Sequence, residues 1–233
     1  MINKAGIAQI CDVATEELKN VFKIKQNDFF FTEKEIHSYF YYLCTRTGQF
    51  EYHDYNLIHT EYPTPFKCET LKVEPYIRKA DDKSKNQRAH IDLVLINPNF
   101  IDWVIKNDKN RRLISGIGGK LFDEYISEFM RDYNRFCDET SESVLLYAIE
   151  FKYLRHSYSG EKYPIQNILQ DINKLKILQE IKLGTKNTSF CENVKSMVFV
   201  GERNKRIAPK LKILIMGYNG LCEIIDKWTT MYY

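Results

Sequence analysis

Val144-Leu145-Leu146-Tyr147-Ala148-Ile149-Glu150-Phe151-Lys152 is the stretch on which the fold of this chain turns. Six mostly apolar residues followed by charge read as a core strand. On a strand, side chains two apart share a face. Glu150 and Lys152 are therefore expected to enter one site together, with Phe151 packed on the opposite side. Burying such a pair is costly unless opposite charge, hydrogen bonds or a metal ion match it. The plain alternative is a strand that has reached the edge of its sheet, with both charges in water.

A second acid stands in a matching context. Arg88-Ala89-His90-Ile91-Asp92-Leu93-Val94-Leu95-Ile96 reads as another strand, stopped by Asn97-Pro98, with Asp92 near its start. The run from Thr70 to Arg78 is the expected partner strand, although Pro75 moves it toward a sheet edge or a bulge. Lys79 to Gln87 is polar apart from Ala80 and suits a hairpin loop. His90 lies two residues before Asp92 and shares its strand face, either touching the site or serving as a structural or exposed residue.

Upstream, Phe31-Thr32-Glu33-Lys34-Glu35-Ile36 carries a helix start signal. Thr32 is the expected N-cap, and Glu35 three residues later completes a capping box. Ile36, Phe40 and Leu43 mark the apolar face of this helix. Glu33 sits three residues before Ile36 on that face, whereas Glu35 is already engaged in capping. Farther along, Ile165, Ile168, Leu169, Ile172, Leu175 and Leu178 recur at helical spacing.

A helix with a glutamate, a hairpin whose second strand carries an aspartate, a strand ending in Glu-x-Lys, then a helix and a strand: this order resembles the PD-(D/E)XK nuclease superfamily. The resemblance covers residues 32–217 and is interrupted by 99–143. It implies an α/β domain with a mixed central β-sheet flanked by helices, built on a restriction-endonuclease-like αβββαβ core. Residues 1–30 would be an N-terminal helical extension and 99–143 a helical insertion, all within one nuclease-like domain of residues 1–233. By position, Asp92 matches the metal-binding aspartate, Glu150 the second acidic ligand and Lys152 the lysine. Glu33 matches the helix glutamate, with Glu35 as its substitute. Glu33 and the backbone carbonyl of Phe151 are further metal ligands on this resemblance. Gln166, Gln170 and Lys174 are the candidates for the polar residue that relatives carry on the later helix. One departure stands out: no proline precedes Asp92.

The implied activity is hydrolysis of phosphodiester bonds by a Mg²⁺-dependent (or Mn²⁺-dependent) endonuclease acting on DNA in defence, repair or mobile-element contexts. Mg²⁺ favours carboxylate and water oxygens, which suits Asp92 and Glu150. Lys152 would orient the attacking water, position the phosphate or lend charge to the transition state. The alternative is a catalytically silent nuclease-fold module that binds nucleic acid or a partner protein. A third possibility is an unrelated α/β protein whose Glu150 and Lys152 form a surface ion pair worth under about 1 kcal/mol.

Composition bounds these readings without choosing among them. A chain of 233 residues with 44% hydrophobic and 14% aromatic content supports a packed core rather than disorder. Net charge of +3 does not by itself argue for nucleic acid, so clustering has to. Lys106, Lys109, Arg111 and Arg112 form one basic group; Arg203, Lys205, Arg206, Lys210 and Lys212 form another. Each alone is a solvated loop; beside a metal site they become phosphate contacts. Six scattered cysteines without a Cys-x-x-Cys pair argue against zinc and against a disulfide framework. Acids throughout Met1 to Phe22 argue against a signal peptide, and no run approaches transmembrane length. A reduced, cytoplasmic protein without membrane contact is expected, with a homodimer implied by the resemblance.

The remaining segments are read more coarsely. Ile7, Ile10, Cys11, Ala14, Leu18, Val21 and Phe22 predict an N-terminal helix over residues 3–25. Residues 49–67 read as irregular with a short strand at most, and 100–105 as sheet or a turn of helix. Gly116 to Lys120 fails the phosphate-loop pattern, because Ile114 and Leu121 stand where glycine and a hydroxyl belong. Leu121 to Phe136 is a predicted helix within the insertion, which could form a lid, a DNA-contacting arm or a dimer interface. Ser196–Val200 and Leu211–Gly217 are the predicted closing strands.

Overall fold

The computed structural model describes residues 4–30, 32–46, 50–64, 66–67, 74–75, 90–107, 126–155, 162–218, 220–226 and 228. These build a mixed α/β fold. Its helices are α1 (Lys4–Phe29), α2 (Glu33–Thr45), α3 (Pro98–Asn107), α4 (Ile126–Thr140), α5 (Lys162–Glu180) and α6 (Ala208–Ile215). The strands are β1 (Glu51–Tyr52), β2 (Tyr55–Asn56), β3 (Ile58–Pro63), β4 (Phe66–Lys67), β5 (Glu74–Pro75), β6 (His90–Ile96), β7 (Leu145–Leu154), β8 (Lys182–Leu183), β9 (Thr188–Ser189), β10 (Cys191–Val200) and β11 (Cys222–Ile225). Five of them form one sheet in the order β11-β10-β7-β6-β3, and the short strands pair off as three two-stranded ribbons. The large sheet is mixed: β10 and β11 run parallel, β3 and β6 antiparallel. Among the described residues no helix is long and apolar enough to cross a membrane.

The chain clusters into two compact units. The first gathers Met1–Phe50, Ile149–Leu175 and Lys195–Tyr233. Here α1 buries Ile7, Cys11, Ala14, Leu18 and Phe22, the one-sided stripe of an amphipathic helix. Phe22 meets the ring of Phe199 at 4.9 Å and that of Tyr153 at 5.7 Å, and Phe40 of α2 meets Phe151 at 5.3 Å. Phe151, Tyr153 and Phe199 thus face α1 and α2. On the other face, Leu154, Val198, Val200, Cys222 and Ile224 pack with Ile168 and Ile172 of α5 and Ala208 and Leu211 of α6. Strand alternation puts Glu150 and Lys152 on this second side, opposite Phe151.

The second unit gathers Glu51–Ala148 and Lys176–Val194. Its β3 and β6 pair in constant register, from Ile58 opposite Leu95 to Pro63 opposite His90. Asn97 ends β6: its carboxamide oxygen accepts from Asn99 N at 3.0 Å, and its Nδ2 donates to Ser143 O at 2.9 Å. Pro98 then opens α3, where a missing N–H costs nothing. Phe100, Tyr133, Phe136 and Phe190 form an aromatic core, with Phe100 at 5.5 Å from Tyr133 and 5.1 Å from Phe136.

Several expectations need correction. The strand that precedes the Asp92 strand and pairs with it antiparallel is β3, within the stretch read as irregular, where residues 70–78 were the expected partner. Of those, only Glu74–Pro75 is described, paired with Phe66–Lys67, and the predicted loop 79–87 lies outside the described residues. Leu211–Gly217 is not a strand: Ala208–Ile215 is helical, with Pro in its first turn, and the closing strand is Cys222–Ile225. Short apolar runs of this kind suit either structure, and burial of Ala208 and Leu211 on one stripe selects the helix. The stretch 100–105 belongs to α3, and the insertion helix runs Ile126–Thr140, with 108–125 outside the described residues.

Candidate active site

Helix α2 begins as its sequence predicts. Glu35 N donates to the Thr32 hydroxyl at 3.2 Å, and Thr32 N donates to Glu35 Oε2 at 2.7 Å. Both orphan donors at this end are satisfied reciprocally. Glu35 is therefore consumed by capping and exposed, and does not substitute for Glu33. Glu33, at the first helical position, is free to reach the sheet. Its Oε2 accepts from Tyr153 N at 2.9 Å, and its Oε1 lies 3.5 Å from Lys152 Nζ.

Helix α5 supplies the other wall. Lys152 Nζ is 3.5 Å from Asp171 Oδ2, and Lys174 Nζ is 2.5 Å from Glu150 Oε1 and 3.7 Å from Asp171 Oδ1. The five residues alternate in sign along one path: Glu33, Lys152, Asp171, Lys174, Glu150. Three carboxylates against two ammonium groups leave one negative charge in excess. The path runs from a half-buried end at Glu33 to a closed end at Glu150, which is 2% exposed. All five belong to the first unit.

Of the three candidates on α5, only Lys174 is in this cluster. Gln166 and Gln170 are exposed, and Asp171 was the residue missed. Its position gives the signal: Asp171 is three residues from Ile168 and four from Leu175, so it flanks the buried stripe, whereas Gln166 and Gln170 sit on the far side. The ring of Phe151 meets His37 at 4.9 Å, on the face away from the cluster.

Asp92 belongs to the second unit, as the half-buried third residue of β6, and His90 is exposed. Across the strand pair from Asp92 stands Glu61, with φ of 52°, in the left-handed region that a non-glycine residue enters at a cost. Carboxylate oxygens of Glu61 and Asp92 lie within 4.8 Å of one another. Like charges facing each other across a ladder are unfavourable. This second acidic pair was not foreseen, because β3 itself was not.

No family model, curated protein or solved structure matches this chain.

Proposed function

We propose that the protein is a Mg²⁺- or Mn²⁺-dependent phosphodiester hydrolase acting on nucleic acid, DNA foremost, with Glu33, Glu150, Lys152, Asp171 and Lys174 as its reaction centre. The observation that carries this is the Lys174 ammonium held between the carboxylates of Glu150 and Asp171. Two carboxylates sharing one cation form a donor set of the kind Mg²⁺ takes, since it uses one or two carboxylates and keeps its remaining waters. Glu150 and Asp171 would hold the ion, and when bound it supplies an acidified water and charge stabilisation at the phosphoryl oxygens. Asp92 of the second unit is not called upon.

The chain's own groups do the rest. Glu33 fixes the Tyr153 amide and Lys152 together, so the Lys152 head is oriented before substrate arrives. Lys152 and Lys174 place two positive charges where a phosphodiester gathers negative charge on its way to cleavage. Order along the chain supports the nuclease reading as well. From Glu33 it runs helix, β3, β6, β7, helix α5, β10 once α3, α4 and the two-residue ribbons are set aside, an α-β-β-β-α-β sequence.

The closed Lys174–Glu150 pair favours one rival, a silent module in which the cluster only fastens α5 to β7. Nicking of supercoiled plasmid, single strands and a four-way junction with Mg²⁺ or Mn²⁺ separates the two. Asp171→Asn and Lys152→Ala are expected to lose about a thousandfold in rate, roughly 4 kcal/mol of barrier. Calorimetric Mn²⁺ binding should vanish in Asp171→Asn with folding intact. No turnover on any substrate, with Mn²⁺ binding identical in parent and variant, assigns the silent module.

A further inference from the structure

We propose that Arg155, Arg203, Lys205, Arg206 and Lys210 form a docking shoulder for the phosphate backbone of nucleic acid, beside the carboxylate–lysine cluster. Residues 202–218 hold five cations (Arg203, Lys205, Arg206, Lys210, Lys212) and one carboxylate (Glu202), a local excess of four, against +3 for the whole chain. The rest of the molecule is nearly neutral, so positive charge is concentrated here. Lys212 is engaged, 2.6 Å from the buried Asp226. Arg203, Lys205, Arg206 and Lys210 are exposed, and Arg155 is half-buried.

The segment is built rather than loose. Leu154 O accepts from Gly201 N at 2.9 Å and from Asn204 Nδ2 at 2.7 Å, and Asn204 is buried. A Cβ at Gly201 would stand 3.0 Å from Leu154 O and 3.3 Å from the Arg155 Cα, so a side chain here would press the turn away from β7 by a few tenths of an ångström. The turn Glu202–Asn204 is thereby latched to β7 two residues beyond Lys152. A latched turn carries its cations at fixed spacing, so less ordering entropy is lost when phosphates bind. Such contacts position a nucleic acid without reading its sequence.

Exposed Ile213 (71%) and Met216 (78%) follow on α6 and its end, a composition that anionic lipid would also favour. Proximity to Lys152 selects nucleic acid, because a phosphate chain on the shoulder continues toward the cluster. That direction of travel rests on the hydrolase proposal; binding does not, and it is measured without divalent ions.

The test uses the full chain, a fluorescein-labelled duplex oligonucleotide and excess EDTA. Anisotropy titrations from about 50 to about 200 mM salt give the slope of log K against log salt. Arg203→Gln/Lys205→Gln/Arg206→Gln should weaken binding and reduce that slope by about two to three, near 0.9 per lost phosphate contact. The charge-matched set Lys176→Gln/Lys182→Gln/Lys186→Gln, all exposed elsewhere, should leave the slope unchanged. Equal slopes for the two sets, or binding to anionic phosphatidylserine vesicles with none to the oligonucleotide, overturn the proposal. A lowered slope without cleavage of any substrate in Mg²⁺ sinks the hydrolase reading alone. Cleavage with an unchanged slope sinks the shoulder alone.

Discussion

Lys174 Nζ stands 2.5 Å from Glu150 Oε1, at the closed end of the cluster. Neither charge could stay there alone. Removing one member of a buried pair leaves the other in a medium that solvates it poorly, at about 3–5 kcal/mol. Lys174→Met is accordingly expected to lower the urea midpoint of unfolding strongly, and Glu150→Gln with Lys174→Met to regain most of the loss. A single variant as stable as the parent would show that water already solvates the pair.

The two neighbouring glutamates of α2 should separate cleanly. Thr32→Ala removes the cap at about 1 kcal/mol and leaves turnover alone. Glu33→Ala strips the acceptor from Tyr153 N, costing about 1–3 kcal/mol. It also releases Lys152, for which a rate loss of about a hundredfold is expected, as for a displaced orienting group. Equal effects of Glu33→Ala and Glu35→Ala on turnover would contradict this division.

His59 on β3 gives a pH dependence. Burial lowers its pKa below the usual 6.5, against a smaller opposing hydrogen bond with the Asn56 backbone. The unfolded chain then binds this proton more readily than the folded one. Stability from this residue is complete above about pH 6.5 and declines as pH falls toward the depressed folded value. Denaturant titrations between pH 7.5 and 5 compare parent with His59→Gln, which should lack that part of the decline (the range brackets the histidine pKa of about 6.5). Parallel profiles for the two chains would remove the assignment.

The thiols should be quiet. Burial pushes Cys137 up to about 12 and Cys222 up to about 11, and Cys11 and Cys191 are also raised. Cys11 owes its shift first to a hydrogen bond with Cys44, then to burial. Since the thiolate is the reactive form, iodoacetamide at about pH 8 should label these four only after unfolding, as read by mass spectrometry of peptides. Rapid native labelling of any of them would contradict their burial.

Legibility from sequence followed the strength of local signals. The run from Leu145 was readable from its apolar continuity, although β7 carries on past Lys152 to Leu154, and the run ending at Asn97-Pro98 from continuity together with a hard stop. Thr32 and Glu35 announced α2 in the same way. Strand β3 was not readable: His59, Thr60 and Glu61 interrupt it, two of the three exposed, and only pairing with β6 makes it a strand. Helix α6 was lost to an alternating Leu-Lys-Ile pattern, although Pro209 in its first turn was a usable sign. Glu33, Lys152 and Lys174 could be named from sequence, but which residues of α5 join them depends on how that helix is rotated against β7. Rotation is a tertiary outcome, and only the place of Asp171 beside the stripe of Ile168 and Leu175 hinted at it in the sequence.

Ala148 and Ile149 are consecutive on one unbroken strand, yet each unit claims one of them. The first unit must therefore wait for its own parts during translation. Phe22 leaves the ribosome long before Phe199, its ring partner at 4.9 Å, has been polymerised. At about 5–20 residues per second the delay is of order ten seconds. Until β7 and then β10 follow, the greasy sides of α1 and α2 lack the sheet they cover in the finished fold.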